Sequence, residues 1–352
     1  MAFTDIDKPS DYFETKLYTG NGGSQTITGV GFGPDFTWIK QRTGTTNSQL
    51  QNSVNGAYFF FNSNTNAAVA ANDGLTAFTN DGFTVGNVSS TNAGGGSTYA
   101  SWNWLGGSSF SNDASGTGIG SVDSAGVVNT ESRFSVVKWT SDGNTNGTIA
   151  HGLGVTPSVV LVKNSIGTED WIMYHISLGN SDILKLNTAA VQNSGTGSFA
   201  GTTPTSTVFK VGSDASTRGN NGNGMYAFCF ASVPGYSKFS AYTGNGNANG
   251  TFINTGFKPA FIMSKGSGNA SSWCMTDVVS SPFNDGSLEF FKANEADAQS
   301  SKSNYDILSN GFKIRTTDAD YNGNGNEYIY LAFAENPFVT STDNNSIPTT
   351  AR

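Results

Sequence analysis

Charge is scarce in this sequence: 12% of its 352 residues are Asp, Glu, Lys or Arg, and 26 acidic against 18 basic side chains leave a net charge of −8. No cluster of Lys or Arg occurs, which argues against a surface that neutralises nucleic-acid phosphates or anionic lipid. Histidine is scarcer still. His151 and His175 are the only two, so a histidine triad or a multi-histidine metal site has little to draw on. Cysteine is limited to Cys229 and Cys274, each in a strand-like segment, and both read as small buried hydrophobes rather than a disulfide framework. No stretch approaches the ~20 apolar residues of a membrane span. The residues up to Phe13 lack a basic segment followed by an apolar run, so the reading is neither export by that route nor membrane insertion.

What is abundant is glycine, at 44 residues, together with Asn, Ser, Thr and 12% aromatics. Gly and Asn serve tight turns, while aromatic and β-branched residues fit a pleated, half-buried surface, so the composition reads as short strands joined by turns. With 25 Phe, 12 Tyr and 6 Trp the chain has apolar surface enough to offset ordering entropy, which excludes a disordered chain.

One pattern occurs three times. It opens at Phe13 to Tyr18-Thr-Gly-Asn-Gly, at Phe134 to Trp139, and at Phe239 to Tyr242-Thr-Gly-Asn-Gly. It continues through Pro34, Pro157 and Pro259, each six residues before Lys40, Lys163 and Lys265, with apolar residues two and four after the proline. Period-two alternation entered by a proline predicts a strand starting at an edge or bend. Later strands begin at Phe83, Phe209 and Phe312, and closing aromatic strands at Tyr99, Tyr226 and Tyr328; Trp171 and Trp273 follow the lysine strand in the later copies only. A repeat of roughly a hundred residues is a whole domain rather than a solenoid unit.

The expected fold class is therefore all-β, with three tandem β-sandwich, jelly-roll-like domains. The boundaries read as an N-terminal arm over 1–12, sandwiches over 13–105, 133–233 and 234–339, a Gly/Ser-rich flexible linker over 106–132, and a C-terminal arm over 340–352. Copies two and three, joined only by Ser232 to Lys238, are expected to pack as a rigid pair. The best helix candidate, Leu288 to Asp297, is expected to be one or two turns at most.

Candidate chemistry is thin. Asp318, Asp320, Asn322 and Asn324 place oxygen ligands at alternate positions with a glycine sixth, as a calcium loop begins, but Ile329 stands where the bidentate acid belongs. A hairpin turn competes with calcium there, and no other cofactor is expected. His151 reads as a turn residue and His175 as a rim residue. The acids Asp170, Asp277, Glu289, Glu295, Asp297 and Glu335 show no spacing that demands an acid–base pair. The three lysines read as edge guards or local ion-pair partners. The tryptophans read as core, although an exposed one would stack on sugar rings.

The Tyr-Thr-Gly-Asn-Gly openings, the Gly-Phe-x-Pro-x-Phe entries and the ends Tyr328-Ile-Tyr-Leu-Ala-Phe-Ala-Glu-Asn-Pro-Phe338 and Ile347-Pro-Thr-Thr-Ala-Arg352 resemble a tandem-domain β-sandwich family of unknown function found in virion proteins of marine tailed bacteriophages, near tail and appendage genes. The resemblance covers almost the whole chain and brings no established catalytic residues to transfer. It implies a non-enzymatic structural protein of the particle exterior, in a tail fibre, tail appendage or capsid decoration, assembled in the host cytoplasm. Expected partners are other virion proteins, further copies of the chain with a trimer favoured, and host surface polysaccharide, but neither nucleic acid nor membrane. A depolymerase and a lectin-like adhesin are the alternatives.

Overall fold

The structure, a computed structural model, describes residues 4–337; the C-terminal arm expected over 340–352 lies outside the described residues. The fold is all-β, as expected, and built from antiparallel sheets. In copy one the large sheet runs, in spatial order, Phe13–Thr19, Thr98–Trp104, Phe36–Gln41, Gln49–Asn52, Phe59–Asn62 and Ala70–Ala71. The same order recurs in copy two from Phe134–Thr140 to Asn193–Ser194 and in copy three from Ser237–Thr243 to Ser300–Lys302. A smaller sheet covers one face of each, such as Gln25–Ile27, Gly82–Val85 and Ala77–Thr79 in copy one. Pro259 lies where the pairing of Phe257–Gly266 slips register, which suits a residue that cannot donate to the ladder.

Strand alternation gives each large sheet two apolar faces. In copy one Ile39, Phe83, Val85 and Tyr99 fill the sandwich between the sheets. The opposite face carries Phe36, Trp38, Trp102 and Trp104, and these join Phe134, Phe228 and Phe230 of copy two and Phe239, Phe261 and Phe333 of copy three in one buried cluster. Ring centroids lie 4.6 Å apart for Phe36 and Phe228, 5.7 Å for Trp104 and Phe333, and 5.9 Å for Phe230 and Phe333, so every copy touches both others. Aromatic pairs at such distances add about 0.5–1.5 kcal/mol each beyond area burial. The void left among them measures about 30 Å³. The three sandwiches thus share a fourth core that none could close alone.

Four expectations need correction. The segment over 106–132 is not a linker without structure: Ser108–Asn112 and Ser124–Asn129 form a hairpin that extends the large sheet of copy two beside Phe134–Thr140. Copy one is not set apart from a pair formed by the other two, because all three meet in the central cluster. The helix candidate begins instead as the strand Leu288–Lys292, its Leu288 and Phe291 buried as the sheet requires. Tyr226 is not the counterpart of Tyr99 and Tyr328. Lys163 stands opposite Tyr226, whereas Lys40 stands opposite Ala100 and Lys265 opposite Ile329, so Met225 holds the equivalent place. A one-residue slip exchanges faces, and Tyr226 accordingly belongs to the central cluster.

The N-terminal arm is also tied down where it is described. Thr4 Oγ1 donates to the Pro234 carbonyl at 2.9 Å, and Pro9–Asp11 form a single 3₁₀ turn. Limited proteolysis is expected to nick the exposed tip around Ser115–Thr117 first, without separating the fragments on native size exclusion, because the flanking strands are paired and the core is shared. Release of copy one as a free species after that nick would contradict the shared core.

Candidate functional site

The repeated openings form pinned double loops. In Tyr18-Thr-Gly-Asn21 the Asn21 amide donates to Asn92 Oδ1 at 2.9 Å, and Asn92 Nδ2 donates back to Asn21 Oδ1 at 3.0 Å and to the Gly86 carbonyl at 3.0 Å. Copy three repeats this with Asn245 N to Asn322 Oδ1 at 2.9 Å, and Asn322 Nδ2 to Asn245 Oδ1 at 3.1 Å and to the Thr316 carbonyl at 2.8 Å. Glycine precedes each asparagine because a Cβ on Gly20 would meet the Ala93 carbonyl at 2.2 Å, and one on Gly244 the Gly323 carbonyl at 2.4 Å. The pairing of Asn92 with Asn21 went unread in the sequence, though the repeated Tyr-Thr-Gly-Asn-Gly was its signal.

These loops account for the four calcium candidates. Asn322 is wholly buried and engaged as above. Asp318 caps the turn Ala319–Asn322, accepting from the Asp320 amide at 2.9 Å, and pairs with Lys302. Both donors hold its carboxyl below the usual carboxylate range, although burial opposes them as the largest single effect. Asp320 accepts from the Ser272 amide at 3.2 Å, while Asn324 is exposed. The four side chains therefore serve different partners. Among the described residues, no group of three or more His, Cys, Asp or Glu side chains is arranged to hold a metal.

The three lysines, expected at edges, are completely buried, and each amine crosses to a neighbouring copy. Lys40 Nζ donates to the Glu295 carbonyl at 2.9 Å, Lys163 Nζ to the Asn66 carbonyl at 2.9 Å, and Lys265 Nζ reaches the Ala189 carbonyl at 3.4 Å. Burial draws each ammonium down from its ordinary value to about 8. Beside each lysine a backbone bond crosses the same joint in the opposite sense. The Gln299 amide donates to the Arg42 carbonyl at 2.9 Å, Val69 to Ser165 at 3.0 Å, and Gln192 to Ser267 at 2.8 Å. Copy three meets copy one, copy one meets copy two, and copy two meets copy three, through one repeated joint that closes into a ring.

The remaining candidates belong to the same architecture. His175, expected on the rim, is fully buried where copies two and three meet; its Nδ1 accepts from the Ser177 amide at 3.1 Å and its Nε2 lies 3.3 Å from the Tyr330 carbonyl. His151 sits at its turn with the same arrangement toward Leu153 and Thr205, and burial lowers both imidazoles to about 4. Asp170 pairs with Lys185 at 2.7 Å, Glu289 with Arg42 at 2.8 Å, Glu295 with Lys292 at 3.2 Å and Glu335 with Lys258 at 3.1 Å. Asp277, buried, accepts from Trp102 Nε1 at 3.3 Å and the Ser280 amide at 2.7 Å, and Asp297 is exposed. All six tryptophans are buried, which leaves none to stack on a sugar, and Cys229 and Cys274 are buried and unbridged.

The surface offers an open groove of about 600 Å³ between Val54 of copy one and the face formed by Phe110, Asp113 and Asp123 of the hairpin with Lys138 of the adjoining strand. Asp123 accepts from the Ala114 amide at 2.9 Å, and Asp113 from Ser115 Oγ at 2.7 Å and the Gly116 amide at 3.0 Å, so both carboxylates pin the hairpin tip. Wide, shallow and mixed in polarity, the groove suits surface contact better than enclosure of a reacting group.

Fold and surface together define an all-β protein of β-sandwich-like units. The chain belongs to the family described as Domain of unknown function (DUF7483), which matches residues 8–337 in a single span. No curated protein and no solved structure matches it.

The lysine joint predicts a stability effect. Lys163→Met keeps the stem but leaves the Asn66 and Glu169 carbonyls without their donor, and is expected to cost about 2–4 kcal/mol in denaturant unfolding. A change within about 0.5 kcal/mol, the usual range for a surface substitution, would show that the amine holds nothing together.

Proposed function

We propose that the protein is a non-enzymatic structural component of the exterior of a bacteriophage particle, in a tail fibre, a tail appendage or a capsid decoration, where it contacts host surface glycan or receptor. The observation that carries this reading is the closed ring of joints. The recurrent polar groups that a sequence search would nominate for chemistry, the three lysines and the paired asparagines, instead fasten copy to copy or loop to loop. The two histidines and most of the acids have structural partners as well.

A body fastened in this way keeps its loops in fixed relative positions, which suits presentation of the same weak contact many times over a particle; modest single-site affinity then suffices. Low charge and loops rich in Asn, Ser and Thr suit hydrogen bonding to uncharged sugars. Its partners in this reading are other virion proteins and further copies of the chain, a trimer being the proposed form, with no role for nucleic acid, membrane or cofactor.

Gold-labelled antibody against this chain is expected to decorate the outside of purified particles at several positions each. Host polysaccharide incubated with the protein is expected to be retained without release of reducing ends. Absence of label from particles would remove the virion assignment, and release of reducing ends that Asp123→Asn abolishes would establish the depolymerase instead.

A further inference from the structure

The three joints are not identical. Strand register aligns Gln49 with Ile172 and Cys274, and their cross-strand partners Asn62 with Lys185 and Lys292. In copies two and three that partner is a lysine held in an ion pair, Lys185 with Asp170 at 2.7 Å and Lys292 with Glu295 at 3.2 Å. A tryptophan stands next to it. Trp171 Nε1 donates to the Asn62 carbonyl at 2.9 Å and Trp273 Nε1 to the Lys185 carbonyl at 2.9 Å, each sealing its joint. The backbone amides of the same tryptophans donate to Asn187 Oδ1 at 3.0 Å and Asn294 Oδ1 at 2.7 Å.

Copy one replaces the whole set with short neutral residues: Asn62 for the lysine, Asn47 for Asp170 and Ser48 for the tryptophan. Asn64, aligned with Asn187 and Asn294, donates to Asn47 Oδ1 at 2.7 Å. Four buried atoms here, Thr46 Oγ1, Ser48 Oγ, Asn62 Oδ1 and Asn64 Oδ1, find no hydrogen-bond partner within the chain, and Ser48 is wholly inaccessible. Buried polar atoms are paired in the great majority of cases. None of the aligned side chains in copies two and three is left in this condition. Where the plug is missing there is an opening of about 370 Å³, lined by Thr46, Asn47, Asn62, Ser90, Phe60 and Ala296, the last from copy three.

We infer that this opening is a binding site for a neutral saccharide unit. The volume falls in the range of small-ligand sites, about 300–1,000 Å³. Its wall is made of amides and hydroxyls, which donate and accept as sugar hydroxyls require, and Phe60 supplies an apolar face for a ring. No charged side chain lines the opening; Lys40 is bound to carbonyls and Arg42 to Glu289. The unpaired oxygens of Asn62 and Thr46 are the hydrogen-bonding capacity that the ligand, through modest side-chain rotation, takes up. The inference deepens the surface-contact role proposed above and rests on it for the ligand's source. Binding itself is read on the isolated chain, so either can fail without the other.

The test uses the full chain with nitrogen-labelled side-chain amides, titrated with glucose, galactose, mannose and N-acetylglucosamine in turn. At least one sugar is expected to shift the Asn47 and Asn62 amides at millimolar concentration. The double variant N47D/N62K rebuilds the ion pair of copy two, and is expected to melt no lower than the natural chain while binding at least about tenfold more weakly, a loss of about 1.4 kcal/mol. Asn62→Ala, which removes the amide without adding charge, is expected to weaken binding similarly and covers the case in which the double variant folds poorly. Silence of both amides toward all four sugars, or binding unchanged in the variants, would overturn the site.

Discussion

The joint between successive copies is the constraint on which the rest of the structure depends. It is head-to-tail: a lysine and a carbonyl of one copy meet a carbonyl and an amide of the next. Contacts of that kind run on into an open array unless the rotation closes, and here it closes after three copies, within one chain. Closure turns the second face of each large sheet inward. That face must then be apolar as well, which is why the closing strand of copy three is buried almost without interruption from Tyr328 to Ala334. Lys40, Lys163 and Lys265 are tolerated inside because each amine finds backbone oxygens, in its own copy and in a neighbour's loop, to accept its protons.

A repeated joint also gives the departures from repetition their meaning. Copy two lacks the Tyr-Thr-Gly-Asn-Gly opening but gains the hairpin over Ser108–Asn112 and Ser124–Asn129, which borders the open groove beside Val54. Copy one lacks the tryptophan and the ion pair that seal the other joints. The lysines held alike in all three copies are explained by the ring. Positions where one copy differs are not required by it, and these two departures border two of the openings on the surface.

Much of this was legible in the sequence, for identifiable reasons. The all-β class follows from turn residues and period-two alternation, and the three copies from the fixed offset of Pro34, Pro157 and Pro259 to their lysines. The buried state of Cys229 and Cys274 follows from their neighbours. The shared core was not legible, because an apolar strand face reads the same whether its own second sheet or another copy covers it. The place of Tyr226 is hidden because an aromatic at the start of a strand has the same sequence pattern as Tyr99, and only pairing with Lys163 fixes its face. The segment over 106–132 has linker composition, but Val127 and Val128 pair with Val136 and Ser135, and tertiary pairing overrode composition. Asp318, Asp320, Asn322 and Asn324 lie between strands, but not in a hairpin turn: Ala319–Asn322 form one helical turn that links strands of two different sheets. What they hold there was hidden, since the partner Asn245 lies 77 residues away in sequence from Asn322.

Small-angle X-ray scattering of the purified chain tests the central claim, that three copies close around one core, more directly than any single substitution. A closed body of this length is expected to show a radius of gyration of about 20 Å, the value for a compact chain of its size, with a symmetric pair-distance distribution. A skewed distribution with a long tail and a markedly larger radius, as three sandwiches strung on a linker would give, would contradict it.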